Sequence, residues 1–182
     1  KTISPSMDIL ISSNLERFLF EITGHQSSKI NDWYQQLRTE NKFEVDQQTK
    51  SEIQQLFSGQ FSTEKEAREV IKSTFNNFDY LLDPHTAVGV DSLNKYRQQS
   101  GDQKTAVVAS TANPYKFSRA VLESLKEKEL EQDEYRIIEE LNDLTAAEVH
   151  RGLQGLEEME SRHHHSCDKN SVKEKVAEIL KI

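Results

Sequence analysis

A chain of 182 residues is long enough for one domain or a little more, and for a core of real size. Its 35 % hydrophobic and 30 % charged residues, with eight Phe, five Tyr and one Trp, exclude a disordered tail. The formal net charge of −8 leaves no basic surface for duplex binding, so no nucleic-acid partner is expected.

The one cysteine, Cys167, cannot form an internal disulfide, which agrees with a reducing compartment and a cytoplasmic location. No segment reaches the roughly 18 apolar residues of a membrane span, so no membrane partner is expected. Lys1 to Leu10 lacks the form of a signal peptide, because Asp8 breaks its apolar run and no small-residue cleavage site follows. The chain opens on Lys1 rather than Met, and is expected to be a piece of something longer. No internal repeat is visible.

Most of the chain reads as helix. Ser13-Asn14-Leu15-Glu16 has the form of a capping box, followed by Leu15, Phe18, Leu19 and Ile22 as a buried stripe and Gly24 as a stop. Ile30, Trp33, Tyr34 and Leu37 repeat the spacing in a second helix. Thr63 to Glu66 is another capping box, with Ala67, Val70, Ile71 and Phe75 behind it. Asp83-Pro84 opens a helix whose start, Ala87 to Val90, is apolar on all sides, and Gly89 would let another backbone approach.

Thr105 to Ser110 is the clearest strand expectation. Ala106 to Ala109 is an uninterrupted apolar run, which suits an inner strand of a parallel sheet. It passes through Thr111-Ala112-Asn113-Pro114 into a helix carrying Phe117, Val121 and Leu125. Seven of the nine residues from Lys126 to Glu134 are ionisable, which marks a surface connection or a solvated helix face. Short helices are expected around Ile137-Ile138 and Val149, then a strand near Arg162 to Ser166. A last helix, capped by Asp168, is expected to bury Val172, Val176, Ile179 and Leu180. A soft boundary falls near residue 126. The fold class is α/β, mostly helical, with helices packed on a small parallel sheet.

The strand, turn and helix from Val107 to Phe117 carry the strongest chemical signal. Ligands in open α/β sheets bind at the carboxyl ends of strands, and Ser110 and Thr111 sit at such an end. Asn113 would cap the following helix with Pro114 in its first turn. Two hydroxyls beside a helix N-terminus favour polar or anionic groups. Plain capping chemistry would place the same residue types there.

Three ordered stretches resemble the threonine synthases. They are Val107-Val108-Ala109-Ser110-Thr111-Ala112-Asn113-Pro114-Tyr115-Lys116-Phe117, where the family usually has His or Ser in place of Asn113; Ser4 to Ile9 with Ser12 to Arg17; and Leu82-Asp83-Pro84-His85-Thr86-Ala87-Val88. The tail, with Arg162-His163 and Cys167-Asp168-Lys169, is similar to tails of bacterial members, so the resemblance covers nearly the whole chain.

The resemblance implies a pyridoxal-phosphate enzyme of the tryptophan-synthase-like fold, converting O-phosphohomoserine and water into threonine and phosphate. It places the Thr matching Thr111 near the pyridine nitrogen of the cofactor, with Ser110 beside it. A neutral hydroxyl there tempers the electron sink that a carboxylate would strengthen. Residues 1–126 would be the C-terminal part of the catalytic domain, and 127–182 a helical tail.

The family's Schiff-base lysine lies in a Ser-Phe-Lys-Asp motif, and its cofactor phosphate in a glycine-rich loop; neither occurs here. The six glycines, at 24, 59, 89, 101, 152 and 155, are scattered. The lysine and the phosphate cradle are therefore expected from a missing N-terminal part of the same enzyme, and this chain alone is expected to be inactive. An isolated strand with bare edges is also expected to self-associate.

Asn14 and Arg17, three residues apart, share a helix face and could hold the substrate phosphate, or simply lie at the surface of a capped helix. His85 could carry a proton or touch substrate; a packed His bonded to a neighbouring backbone group is the preferred reading. His163, His165 and Cys167 would share one face of a strand, with His164 on the other, yet no metal is expected at them. The competing function is a non-catalytic helical interaction or regulatory module.

Overall fold

A computed structural model of the chain describes residues 1–9 and 11–182. Two compact units divide it, Lys1–Val149 and His150–Ile182.

The first unit is a set of packed helices. Helix α1 (Ser13–Ile22), α2 (Ser27–Glu40) and α3 (Gln47–Leu56) pack at its N-terminal end. The Ile30, Trp33, Tyr34 and Leu37 stripe of α2 is buried against Leu19 of α1, with Phe20, Phe43, Val45 and Ile53 around it. Burying side chains of this size stabilises by about 1.5–3 kcal/mol each. The N-cap of α1 is Ser12, one residue before the expected Ser13, and its hydroxyl accepts the N–H of Leu15 at 3.3 Å. Leu15 is exposed rather than part of the stripe. Helix α3 has no apolar stripe and went unread in the sequence; Asp46 starts it, accepting the N–H of Thr49 at 2.9 Å.

Helix α4 (Glu64–Phe78) begins with the expected capping box of Thr63 and Glu66. It packs on α5 (Pro84–Ser100) and on α6 (Ser118–Lys126), and α6 packs on α7 (Glu134–Thr145). Ala67, Ile71, Ala87, Val121, Leu122, Ile137 and Leu141 are buried on these four helices. Lys95 of α5 joins them polarly: its ammonium meets Asp91 at 2.7 Å, Glu66 of α4 at 2.9 Å and the carbonyl of Phe61 at 2.8 Å. Asp91 also accepts from the Ser62 hydroxyl.

Residues 105–111 depart from expectation. Among the described residues there is no β-strand, so the small parallel sheet is absent. This stretch passes without regular secondary structure, and Val107 is 94 % exposed. An apolar run becomes a strand only when another strand meets its backbone N–H and C=O groups, and none does here. The expected approach at Gly89 is by a side chain: an added Cβ would lie 3.3 Å from Cγ1 of Val108.

The second unit contains 3-10 turns at Leu156–Glu158 and Lys169–Ser171 and one helix, α8 (Val172–Leu180). No strand forms near 162–166 and no helix at Val149. Asp168 precedes the Lys169 turn without a side-chain cap bond. Val172, Val176, Ile179 and Leu180 are exposed, because no described element covers their stripe.

Candidate functional site

Three stretches that are distant in sequence meet at the N-terminus of α5. The first component is Asp83, which is 1 % exposed. Its Oδ1 accepts the backbone N–H groups of His85 at 2.9 Å and Thr86 at 3.3 Å, and lies 3.1 Å from Nδ1 of His85. Its Oδ2 accepts the Thr86 hydroxyl. Four donors on one carboxylate compensate for taking its charge out of water.

His85 is the second component, and it is buried. Its Nε2 accepts the backbone N–H of Ser6 at 3.1 Å. A ring nitrogen that accepts carries no proton, so the proton sits on Nδ1 and is donated to Asp83. The ring also lies against Phe117, with centroids 4.7 Å apart. One imidazole thus joins the turn Pro5–Met7, the start of α5 and the turn Pro114–Phe117.

Ser110 is the third. Its hydroxyl lies 3.3 Å from that of Thr86. The Thr86 hydroxyl is the donor in this contact as in that to Asp83, and its one proton serves one of the two acceptors at a time. Thr111 is exposed, and its hydroxyl meets no hydrogen-bond partner among the described residues. Beyond it Asn113 caps as expected, accepting the N–H of Tyr115 at 2.9 Å, with Pro114 at the first turn position. Tyr115 anchors this corner by donating to the Ala147 carbonyl at 2.5 Å, and burial pushes its phenol up from the ordinary value.

Ser110, Thr111 and His85 are therefore neighbours through Thr86 and Asp83. Asn14 and Arg17 are elsewhere, on the exposed side of α1, where the Arg17 guanidinium donates to the Asn14 side-chain carbonyl. Arg17 borders a cleft of about 250 Å³ with Phe20, Ser27 and Asn31. His163, His164, His165 and Cys167 are exposed in the second unit.

A larger cleft of about 510 Å³ is lined by Arg68, Arg119, Glu123 and Glu127, and none of the three convergent stretches contributes to it. Its two arginines are engaged: Arg68 meets Glu123 at 3.3 Å, and Arg119 donates to the carbonyls of Leu130 and Gln132. It marks the α4–α6 packing rather than the hydroxyl site.

Sequence reading singled out Asp83 as a cap and His85 as a candidate, but missed Thr86, Ser6 and Phe117 as parts of one network. The available signal was that all three belong to the motif stretches.

A family model for the C-terminal part of threonine synthase matches residues 86–176. The threonine synthase of Saccharomyces cerevisiae is 36 % identical over 138 residues, covering 68 % of this chain and 27 % of the yeast protein. That of Pseudomonas aeruginosa is 33 % identical over 120 residues, covering 66 % of this chain and 25 % of the bacterial one. The crystal structure of pyridoxal-phosphate-bound threonine synthase from Brucella melitensis superposes with a TM-score of 0.58 at 31 % identity, covering 81 % of this chain and 35 % of that one. This chain spans about a quarter of the length of the first two relatives.

Proposed function

Since the chain belongs to the threonine synthase family, we propose that it is the C-terminal part of an enzyme that converts O-phospho-L-homoserine and water into L-threonine and phosphate with pyridoxal phosphate. The observation that carries this reading is the convergence of all three motif stretches on Asp83 and His85, beside Ser110 and Thr111.

The donor set fits one edge of the cofactor. Thr111 offers a free, exposed hydroxyl beside a rigid turn. The six glycines are scattered along the chain and make no glycine-rich run of the kind that cradles a phosphate. In this reading the phosphate loop and the lysine that holds the cofactor come from the rest of the polypeptide, and the fold is that of the tryptophan-synthase-like enzymes. Residues 1–126 belong to the catalytic domain and 127–182 form a helical tail.

When bound, pyridoxal phosphate supplies the electron sink for chemistry at the substrate carbons. Thr111 would face the ring nitrogen with a neutral hydroxyl, which would leave that sink weaker than a carboxylate would. Ser110 would lie beside that edge, with His85 linked to it through Asp83 and Thr86. Asn14 and Arg17 bind the substrate phosphate, a role that suits a guanidinium near a helix N-terminus. No helix among the described residues is long and apolar enough to cross a membrane, and we place the enzyme in the cytoplasm.

The test is to add pyridoxal phosphate to this chain and to the intact polypeptide. The visible band of lysine-bound cofactor is expected only in the intact protein. A band in this chain would overturn the division of labour, and no band in either would overturn the function. In the intact enzyme, Arg17→Ala is expected to raise KM or lower kcat; unchanged kinetics would remove Arg17 from the substrate site.

A further inference from the structure

The opening turn of the chain, Pro5–Met7, is tied to the rest by little. Most hydrogen bonds of residues 2–8 stay among themselves. The Thr2 N–H donates to Asp8 at 2.7 Å, the Thr2 hydroxyl lies 3.0 Å from that of Ser4, and the N–H groups of Met7 and Asp8 return to the carbonyls of Ser4 and Pro5. Ser4 is buried, but Met7 and Ile9 are exposed, so apolar burial adds little. Among the described residues, the one hydrogen bond that leaves residues 2–8 runs from the Ser6 N–H to Nε2 of His85.

That bond depends on the charge of the ring. Neutral and protonated at Nδ1, the imidazole offers a lone pair at Nε2, and the Ser6 N–H donates to it. A second proton goes to Nε2, the ring nitrogen still able to take one. Two N–H groups then meet across 3.1 Å, and attraction becomes repulsion. The other contacts of the ring survive. Nδ1 carries its proton in both states and keeps Asp83, and the packing on Phe117 needs no lone pair.

Charged groups stand on each element around the ring. Asp83 of the α5 cap faces it at 3.1 Å. On the opening segment the Asp8 carboxylate is engaged by the N–H and hydroxyl of Thr2, with Lys1 nearby. On the Pro114–Phe117 turn, the Lys116 ammonium lies 5.7 Å from the centroid of Phe117, the ring that His85 touches.

We propose that His85 is an acid-released latch: neutral, it holds the opening turn on α5, and protonated at Nε2 it lets the turn go. The tie is present above the pH at which the ring takes its second proton and is lost below it. No cofactor takes part.

The test is an NMR titration of this chain at low concentration, followed through the ring C–H signals of His85. The Ser6 amide shift should move with the same midpoint as the ring. The backbone order parameters of residues 5–8 should fall from about 0.85 to below about 0.6 across that midpoint, while the amides of α4 and α5 stay protected from exchange. A Ser6 amide indifferent to the charge of the ring would overturn the proposal. So would a ring that takes no second proton until the helices unfold, or α5 loosening together with the turn. His85→Ala should leave the turn loose at every pH, and an ordered turn in that variant would also overturn it. If that variant does not fold, the titration of the unaltered chain decides the matter alone.

Discussion

The Nε2 of His85 accepts the backbone N–H of Ser6 at 3.1 Å, across 79 residues of sequence. The bond makes a side chain at the start of α5 the anchor of the chain's opening turn. The same ring carries Phe117 on its face and donates to Asp83, so three parts of the chain depend on one imidazole.

His85→Ala should therefore cost more than an ordinary truncation. It leaves the Ser6 N–H unpaired, takes one donor from a buried carboxylate and empties the space beside Phe117. A loss of about 2–4 kcal/mol is expected from these combined effects. Urea denaturation measures it; a loss below about 1 kcal/mol would mean that the network holds little.

Acid should weaken the α4–α5 contact. Hydrogen bonds from Lys95, then from the Thr63 hydroxyl and backbone, hold Glu66 down at about 2 from its ordinary 4.5. A carboxylate depressed in the folded state contributes stability above its unfolded value and loses it as pH falls through the folded one. The loss should therefore run from 4.5 down to about 2. Asp46, held at about 2 from 3.8 by the Thr49 N–H and then by Lys29, adds a parallel loss at α3. Glu66→Gln should flatten the dependence of the urea midpoint on pH in this window, and an unchanged slope would contradict the assignment.

Ala146 ends α7 with φ of 50°, a left-handed conformation that costs an L-residue about 1–2 kcal/mol. Ala146→Gly should relieve it, less about 0.4–1 kcal/mol for the greater freedom of the unfolded glycine. A rise in Tm of about 1–3 °C is expected for a chain of this size. A fall would show that the Cβ makes contacts worth more than the strain.

Residues 105–111 expose unpaired backbone and an apolar side chain at Val107, and α8 exposes its apolar stripe. This chain alone should self-associate, with sedimentation showing mass above 21.0 kDa that rises with concentration. A monomer at all concentrations, unfolding cooperatively, would contradict this.

Where burial comes from neighbouring turns of helix, the sequence was readable. Ile30, Trp33, Tyr34 and Leu37 lie in contact order with the core that holds them, and Thr63 with Glu66 satisfy backbone groups a few residues away. Ala106 to Ala109 read as an inner strand because apolar runs of that kind are usually covered on both faces, yet a ladder needs a partner strand that local pattern cannot supply. Val172, Val176, Ile179 and Leu180 failed likewise: the period was right, and the covering surface was assumed. At the site, Asp83 and Asn113 were legible as caps because their bonds are local. Ser6 to His85 and Thr86 to Ser110 were not, since spacing along the chain says nothing of contacts made across it.

The stretch Thr105 to Ala112 contains no charge and no proline, and its Thr and Val residues favour extended backbone. Left bare, such a segment has the composition that chaperones grip and that seeds misassembly. A cell would therefore handle this chain as an unfinished product, and its lifetime there would depend on how soon another surface closes over Val107.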